Sequence, residues 1–154
     1  MGAVVITNPY YVYTRSDLNV DEIGTDRGSL ASRIGTLVRE GIVVSLHADT
    51  PVAPPRPLEE VWIAVNRVGA LSGKVRAPEE RVSVDQALRM ITIDAAYTLG
   101  VDDKVGSIET GKFADFTVLD ADPRDVEPMA IRDIPVIATI VGGRVIMTAD
   151  TRKP

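Results

Sequence analysis

Residues 42–53 read IVVSLHADTPVA, and this stretch decides the fold. Ile42 to Leu46 lacks the apolar–polar alternation of a strand with one face in water, and β-branched and aliphatic side chains dominate it. Such a run suits a strand covered on both faces, as in a parallel α/β sheet. It stops abruptly in His47-Ala48-Asp49-Thr50, followed by Pro51. Parallel α/β folds bind ligands beyond the carboxyl ends of their strands. A buried strand that delivers His, Asp and Thr together at that end reads as the edge of an active site.

Upstream, Ala3 to Thr7 is a second apolar run closed by Asn8-Pro9, which predicts another short buried strand. Tyr10, Tyr11 and Tyr13 follow it and either line a pocket wall or pack; packing is favoured, and Tyr11 is kept with His47 as a candidate substrate contact. Residues 15–28, rich in Asp, Gly and Arg, read as a loop, with Arg15 and Asp17 in solvent and substrate binding as the alternative. Ser29 opens a predicted helix whose Leu30, Ile34, Leu37 and Val38 keep the 3.6-residue period, and Gly41 stops it. Strand, loop, helix and strand together make a parallel crossover.

Downstream, residues 51–57 hold four prolines and form a stiff connector. Leu58 to Val68 predicts a helix with Val61, Trp62, Val65 and Val68 on one side, Trp62 packing rather than lining a pocket. Residues 69–81 read as a loop. Ser83-Val84-Asp85-Gln86 is a capping box, opening a helix expected to reach about Leu99, with Gly100 as its stop and the small Ala95-Ala96 pair allowing close approach of a neighbour. Residues 106–112 are turn-like, and Lys112 and Asp115 read as structural, in an ion pair or a turn bond. Phe113 to Leu119 alternates, and Val136 to Val141, Gly142-Gly143 and Arg144 to Thr148 predict a β-hairpin. The chain therefore divides into an α/β segment, 1–100, and a β-rich segment, 101–154.

Composition narrows the function. The 154 residues carry a net charge of −5 and a pI near 4.9, which gives no basic field for a phosphate backbone and disfavours nucleic-acid binding. There is no cysteine, so thiolate metal sites, thiol nucleophiles and disulfides are excluded. No signal peptide or apolar membrane span is read, and a soluble, cytoplasmic chain with no membrane partner is expected.

Several of these stretches carry a resemblance. GSIETGKFADFTVLDADP at 106–123 resembles the C-terminal signature of the amidohydrolase superfamily, and VGGRVI at 141–146 looks like the last hairpin of that family's small β-sandwich. NPYYVY at 8–13, HADTPVAPP at 47–55 and SVDQALRMITIDAA at 83–96 are similar to one branch, the metal-dependent hydrolases related to N-acyl-D-amino-acid deacylases and the exoenzyme regulatory protein group. Asp94 departs from the Asn usual in Thr-x-Asn-Ala-Ala. The resemblance implies a (β/α)₈ barrel beside a β-sandwich, with Ala3 to Thr7 as the seventh strand and Ile42 to Leu46 as the eighth. It implies one or two divalent metals, zinc foremost, and an amide as the small-molecule substrate. It also makes Asp49 the carboxylate that contacts the metal and takes a proton from metal-bound water.

The same resemblance exposes a shortfall. A (β/α)₈ barrel needs about 250 residues, and the family's metal site needs a His-x-His pair, a bridging carboxylate and two further histidines. This sequence has one histidine, His47. The expectation is a C-terminal portion of a metal-dependent hydrolase cleaving non-peptide C–N bonds, inactive by itself and holding no cofactor alone. A non-catalytic structural or regulatory module is the alternative. Barrel strands and helices left without neighbours would expose apolar faces and unpaired edges, so self-association or strand exchange is expected.

Overall fold

The computed structural model describes residues 4–147. Strand β1 (Val5–Thr7) and strand β2 (Val44–Leu46) pair in parallel, with Val5 opposite Val44 and Thr7 opposite Leu46. Between them run helices α1 (Tyr10–Ile23), α2 (Thr25–Gly28) and α3 (Ile34–Arg39), so the expected crossover is present. β2 is buried along its whole length, whereas β1 is not the buried strand expected: Ile6 is 53% exposed. Ala3 and Thr148, the outer ends of two predicted strands, lie outside the described residues.

Residues 15–28 are a correction. They lie mostly in helices α1 and α2 instead of a loop, and Asp17 is buried. The inward face of α1 holds Tyr10 and Val12 but also Ser16 and Asp17, so its buried stripe has no apolar period to read. Asp17 accepts hydrogen bonds from the amides of Leu71 (2.9 Å) and Ser72 (3.1 Å) and from the Ser72 hydroxyl (2.6 Å), and forms an ion pair with Arg76. Gly69 is the residue that admits it: a Cβ there would stand 2.4 Å from Asp17 Oδ1. Burial pushes the Asp17 carboxyl up, but the bonds from Ser72 and Arg76 outweigh it and hold the group well below the usual carboxylate range.

The helix predicted from Ser29 begins only at Ile34. Ser32 takes a positive φ of 50°, and the carbonyls of Ser29, Ala31 and Ser32 accept from the Arg67 guanidinium at 3.2, 2.9 and 2.9 Å. A side chain has taken acceptors that an α-helix would use. Gly41, with φ +72°, stops the helix as expected.

Helix α4 (Pro57–Asn66) carries the centre of the core: Val61, Trp62, Ile63 and Ala64 are 0–1% exposed. It ends two residues earlier than predicted because Arg67 adopts the left-handed conformation. Trp62 packs as expected, with Tyr13 edge-on at 5.4 Å and the Arg132 guanidinium 4.1 Å above its ring. Its indole N–H donates to the Met129 carbonyl (3.0 Å), while the Asn66 amide donates to that of Pro128 (2.9 Å). A 3₁₀ turn over Pro128–Asp133 is thereby seated on α4, and its Ile131 is fully buried in the core.

The Ser83 capping box forms: the Ser83 hydroxyl accepts from the Gln86 amide and the Gln86 side chain accepts from the Ser83 amide. The helix it opens does not run to Leu99. It divides into α5 (Val84–Met90) and α6 (Ile93–Thr98). Three β-branched residues, Ile91-Thr92-Ile93, sit at the break, and the Thr92 hydroxyl donates back to the Leu88 carbonyl at 2.7 Å. The neighbour that the small alanine pair admits is Gly106, where a Cβ would lie 2.7 Å from that of Ala96. The last three strands, β3 (Phe116–Leu119), β4 (Val136–Val141) and β5 (Arg144–Met147), form an antiparallel sheet in that order. Gly142 and Gly143 both take positive φ in the hairpin turn, as a two-residue loop of this kind requires. The Asp115 carboxylate secures the turn by accepting from the Gly142 amide (2.7 Å). Lys112 meets Ser107 and Glu109, so both residues are structural as read.

Truncating Asp17→Ala strands the buried Arg76 charge and is expected to cost about 3 kcal/mol in urea unfolding at pH 7. Because the folded state depresses this carboxyl, its contribution is complete above the unfolded value near pH 4 and fades as the pH falls below it. The gap between wild type and Asp17→Ala should therefore narrow in acid.

Candidate functional site

The parallel register fixes which residues meet. β1 and β2 end side by side at Thr7 and Leu46, so Asn8-Pro9-Tyr10 and His47-Ala48-Asp49 emerge from the same edge. The His47 amide continues the pairing by donating to the Thr7 carbonyl (3.1 Å). Asn8 is buried, and its side-chain amide donates to the Ala48 carbonyl (3.2 Å) while its Oδ1 accepts from the Tyr10 amide (2.9 Å). One side chain thus starts α1 and joins the two strand-end loops. The Ser32 hydroxyl donates to the Asn8 carbonyl (3.0 Å), which brings the loop held by Arg67 to the same place.

Asp49 is exposed at this edge with φ +55°, a left-handed conformation that Asp tolerates better than most residues. Its carbonyl accepts from the Val52 amide (2.7 Å) and closes a tight turn, and the Thr50 hydroxyl donates to the Ala53 carbonyl (3.2 Å). No other described residue hydrogen-bonds to the Asp49 carboxylate or the His47 ring; His47 is half-buried. His47 and Asp49 therefore lie two residues apart on the loop that leaves β2, with Asp49 exposed, whereas Tyr11 sits on α1.

The tyrosines separate. Tyr10 is buried, and its hydroxyl lies 3.2 Å from both the Pro54 carbonyl and Glu59 Oε2. Tyr11 is 47% exposed on α1, and Tyr13 packs on Trp62. Asp17 is committed to the 69–76 loop. Sequence reading missed Asn8 and Tyr10 as connectors, although an Asn-Pro pair after a strand is the available signal. It also missed Glu60, which is 5% exposed in the first turn of α4. No described residue hydrogen-bonds to the Glu60 carboxyl, and burial pushes it up to about 7.

With this geometry in view, the protein is of mixed α/β class with a strand-end carboxylate, and comparison with known proteins gives its kin. The pattern of the amidohydrolase family matches residues 3–147, and the chain belongs to that family. An N-substituted formamide deformylase of Arthrobacter pascens is 39% identical over 110 residues, which are 71% of this chain and 20% of that protein. A crystal structure of an uncharacterized metal-dependent hydrolase from Pyrococcus horikoshii superposes with a TM-score of 0.68 at 26% identity, covering 82% of this chain and 26% of the other. An adenosine deaminase from Xanthomonas campestris, solved with bound zinc, shares the fold at a TM-score of 0.64 and 20% identity over 92% of this chain and 31% of that one. The chain thus spans about a fifth to a third of the length of these relatives.

Among the described residues no group of three or more His, Cys, Asp or Glu side chains is placed to hold an ion. His47 and Asp49 offer one imidazole and one carboxylate, short of the four ligands usual in zinc sites. These residues by themselves do not fit the metal. No helix among the described residues is long and apolar enough to cross a membrane.

Buried Glu60 gives the fold a pH dependence. Its folded value lies above its unfolded one, so its favourable contribution is complete below about pH 4.5 and is lost as the pH rises to about 7. Glu60→Gln is expected to remove that slope and to raise stability at pH 8 by about 1–2 kcal/mol, after allowance for residual solvent. Thermal unfolding of both proteins at pH 5 and pH 8 measures it.

Proposed function

We propose that the chain is one portion of a metal-dependent amidohydrolase that cleaves carbon–nitrogen bonds other than peptide bonds. In this reading, residues 1–100 belong to the last two strand–helix units of a (β/α)₈ barrel, and 101–154 to its small β-sandwich. Asp49 is the reacting carboxylate of the complete enzyme, with His47 and Tyr11 as substrate contacts. The observation that carries the reading is the Asp49 carboxylate, free at the carboxyl end of a fully buried parallel strand, in a chain of this family. Catalytic groups of such barrels come from that end of the strands.

The remaining ligands for a divalent ion, zinc foremost, come from polypeptide outside this sequence. The substrate class is an amide of a small molecule. This chain acting alone is inactive.

The apolar faces left open bear on the same reading. Ile108 is 84% exposed, Leu99 73% and Phe113 61%, and an apolar groove runs between α5, α6 and the β3–β4 sheet. Contiguous exposed apolar surface marks association faces, and in this reading the isolated chain self-associates through it or exchanges strands.

The purified chain should carry no stoichiometric zinc and turn over no N-acyl or N-formyl amide, whereas a longer polypeptide containing it with a His-x-His sequence should do both. In that polypeptide Asp49→Asn should lower kcat by about 10²- to 10⁴-fold, the range for one positioned acid–base group. Turnover by this chain alone, or full activity of Asp49→Asn, would refute the assignment. Light scattering on the isolated chain should give a mass at least twice that of the monomer; a monodisperse monomer overturns the association.

A further inference from the structure

The loop that carries Asp49 is gripped at two points by neighbouring residues of the β1 end. At its start, the buried Asn8 amide donates to the Ala48 carbonyl, the peptide unit adjoining Asp49 (3.2 Å). At its far end, the Tyr10 hydroxyl shares its one proton between the Pro54 carbonyl and Glu59 Oε2, each at 3.2 Å, and so ties residue 54 to the start of α4. Between these points the chain makes the Asp49–Val52 turn with Asp49 in the left-handed region. Asp adopts that region more readily than most residues but still at a cost, and the two bonds add to the Asp49–Val52 turn in holding it there. The grips are also coupled, because Asn8 Oδ1 accepts from the Tyr10 amide and so fixes the residue that makes the second bond.

We propose that Asn8 and Tyr10 are positioning residues, a two-point clamp from β1 that holds the 47–54 loop and sets where the Asp49 carboxylate stands. The role of that carboxylate rests on the function proposed above; the clamp itself does not. Burial and the adjacent Glu59 carboxylate push the Tyr10 phenol well above its ordinary value, so it remains a donor throughout the neutral range. Tyr11, one residue on, is exposed and takes no part.

Hydrogen exchange on the full chain tests the clamp without reference to catalysis. In Asn8→Ala, and separately in Tyr10→Phe, the Val52 amide should exchange about tenfold faster. The amides of Leu71 and Ser72, held by Asp17, should keep their wild-type rates. Tyr10→Phe removes one oxygen and leaves the ring buried, so it carries the test if Asn8→Ala unfolds. Unchanged Val52 exchange in a folded variant of each residue overturns the proposal. In the longer enzyme, both variants should lower kcat about tenfold or more with KM little altered. Faster exchange with kcat unchanged would keep the clamp and instead remove Asp49 from the chemistry.

Discussion

A guanidinium with no exposed surface holds the architecture around the strand ends. Arg67 has 0% relative exposure and donates to the carbonyls of Ser29, Ala31, Ser32 and Arg76, with no carboxylate of the described residues in direct contact. Burial lowers its value to about 10, which still leaves it charged at neutral pH. A buried charge is tolerable only when hydrogen-bonded, and here neutral backbone oxygens do it. The consequence is topological. Four carbonyls from two distant loops converge on one side chain, and through Ser32 and Asn8 that convergence reaches the Asp49 loop.

The second buried cluster works by the opposite chemistry. Asp17 gathers amides, a hydroxyl and a guanidinium from residues 71–76, and Gly69 leaves room for it. Glu80 does likewise for α3, accepting from the Thr36 amide (2.7 Å) and hydroxyl, with Arg33 alongside. Burial pushes Glu80 up, but the Thr36 and Arg33 bonds prevail and keep it below the ordinary range. Each helix of the crossover that borders the core is thus tied to the 67–81 segment by a buried polar group. Apolar packing supplies the mass of the core; these polar ties decide how the irregular segments lie against it.

This division explains what could be read from the sequence. The parallel crossover, the buried β2, the capping box and the glycine hairpin all announce themselves locally, through periodicity or turn chemistry. The cluster His47–Asp49 was legible because β2 stops at it. Helix α1 was not, because its inward face includes Ser16 and Asp17, whose burial depends on partners more than fifty residues away in the case of Asp17. The late start of α3 and the early end of α4 were equally hidden, since both follow from Arg67. Asn8 and Tyr10 show no pattern in one dimension that marks them as ties to residues 48 and 54.

The parallel pair also bears on the function proposed above. Two strands of three residues each, one carrying a half-exposed isoleucine, are too few to stand as a sheet in water. Their register is nevertheless regular, and β2 is buried on all three residues, with α3, α5 and α6 lying against it. The carboxyl-end loops are held by buried hydrogen bonds, though a loop at a mere solvent edge would need no such precision. Order at the strand ends, in a sheet of only two short strands among the described residues, is what the proposed reading requires, in which further strands would continue the sheet and further ligands would complete the site. On the proposed reading the single histidine is accounted for as well: this chain would contribute the carboxylate of Asp49, and the imidazoles would come from other strands.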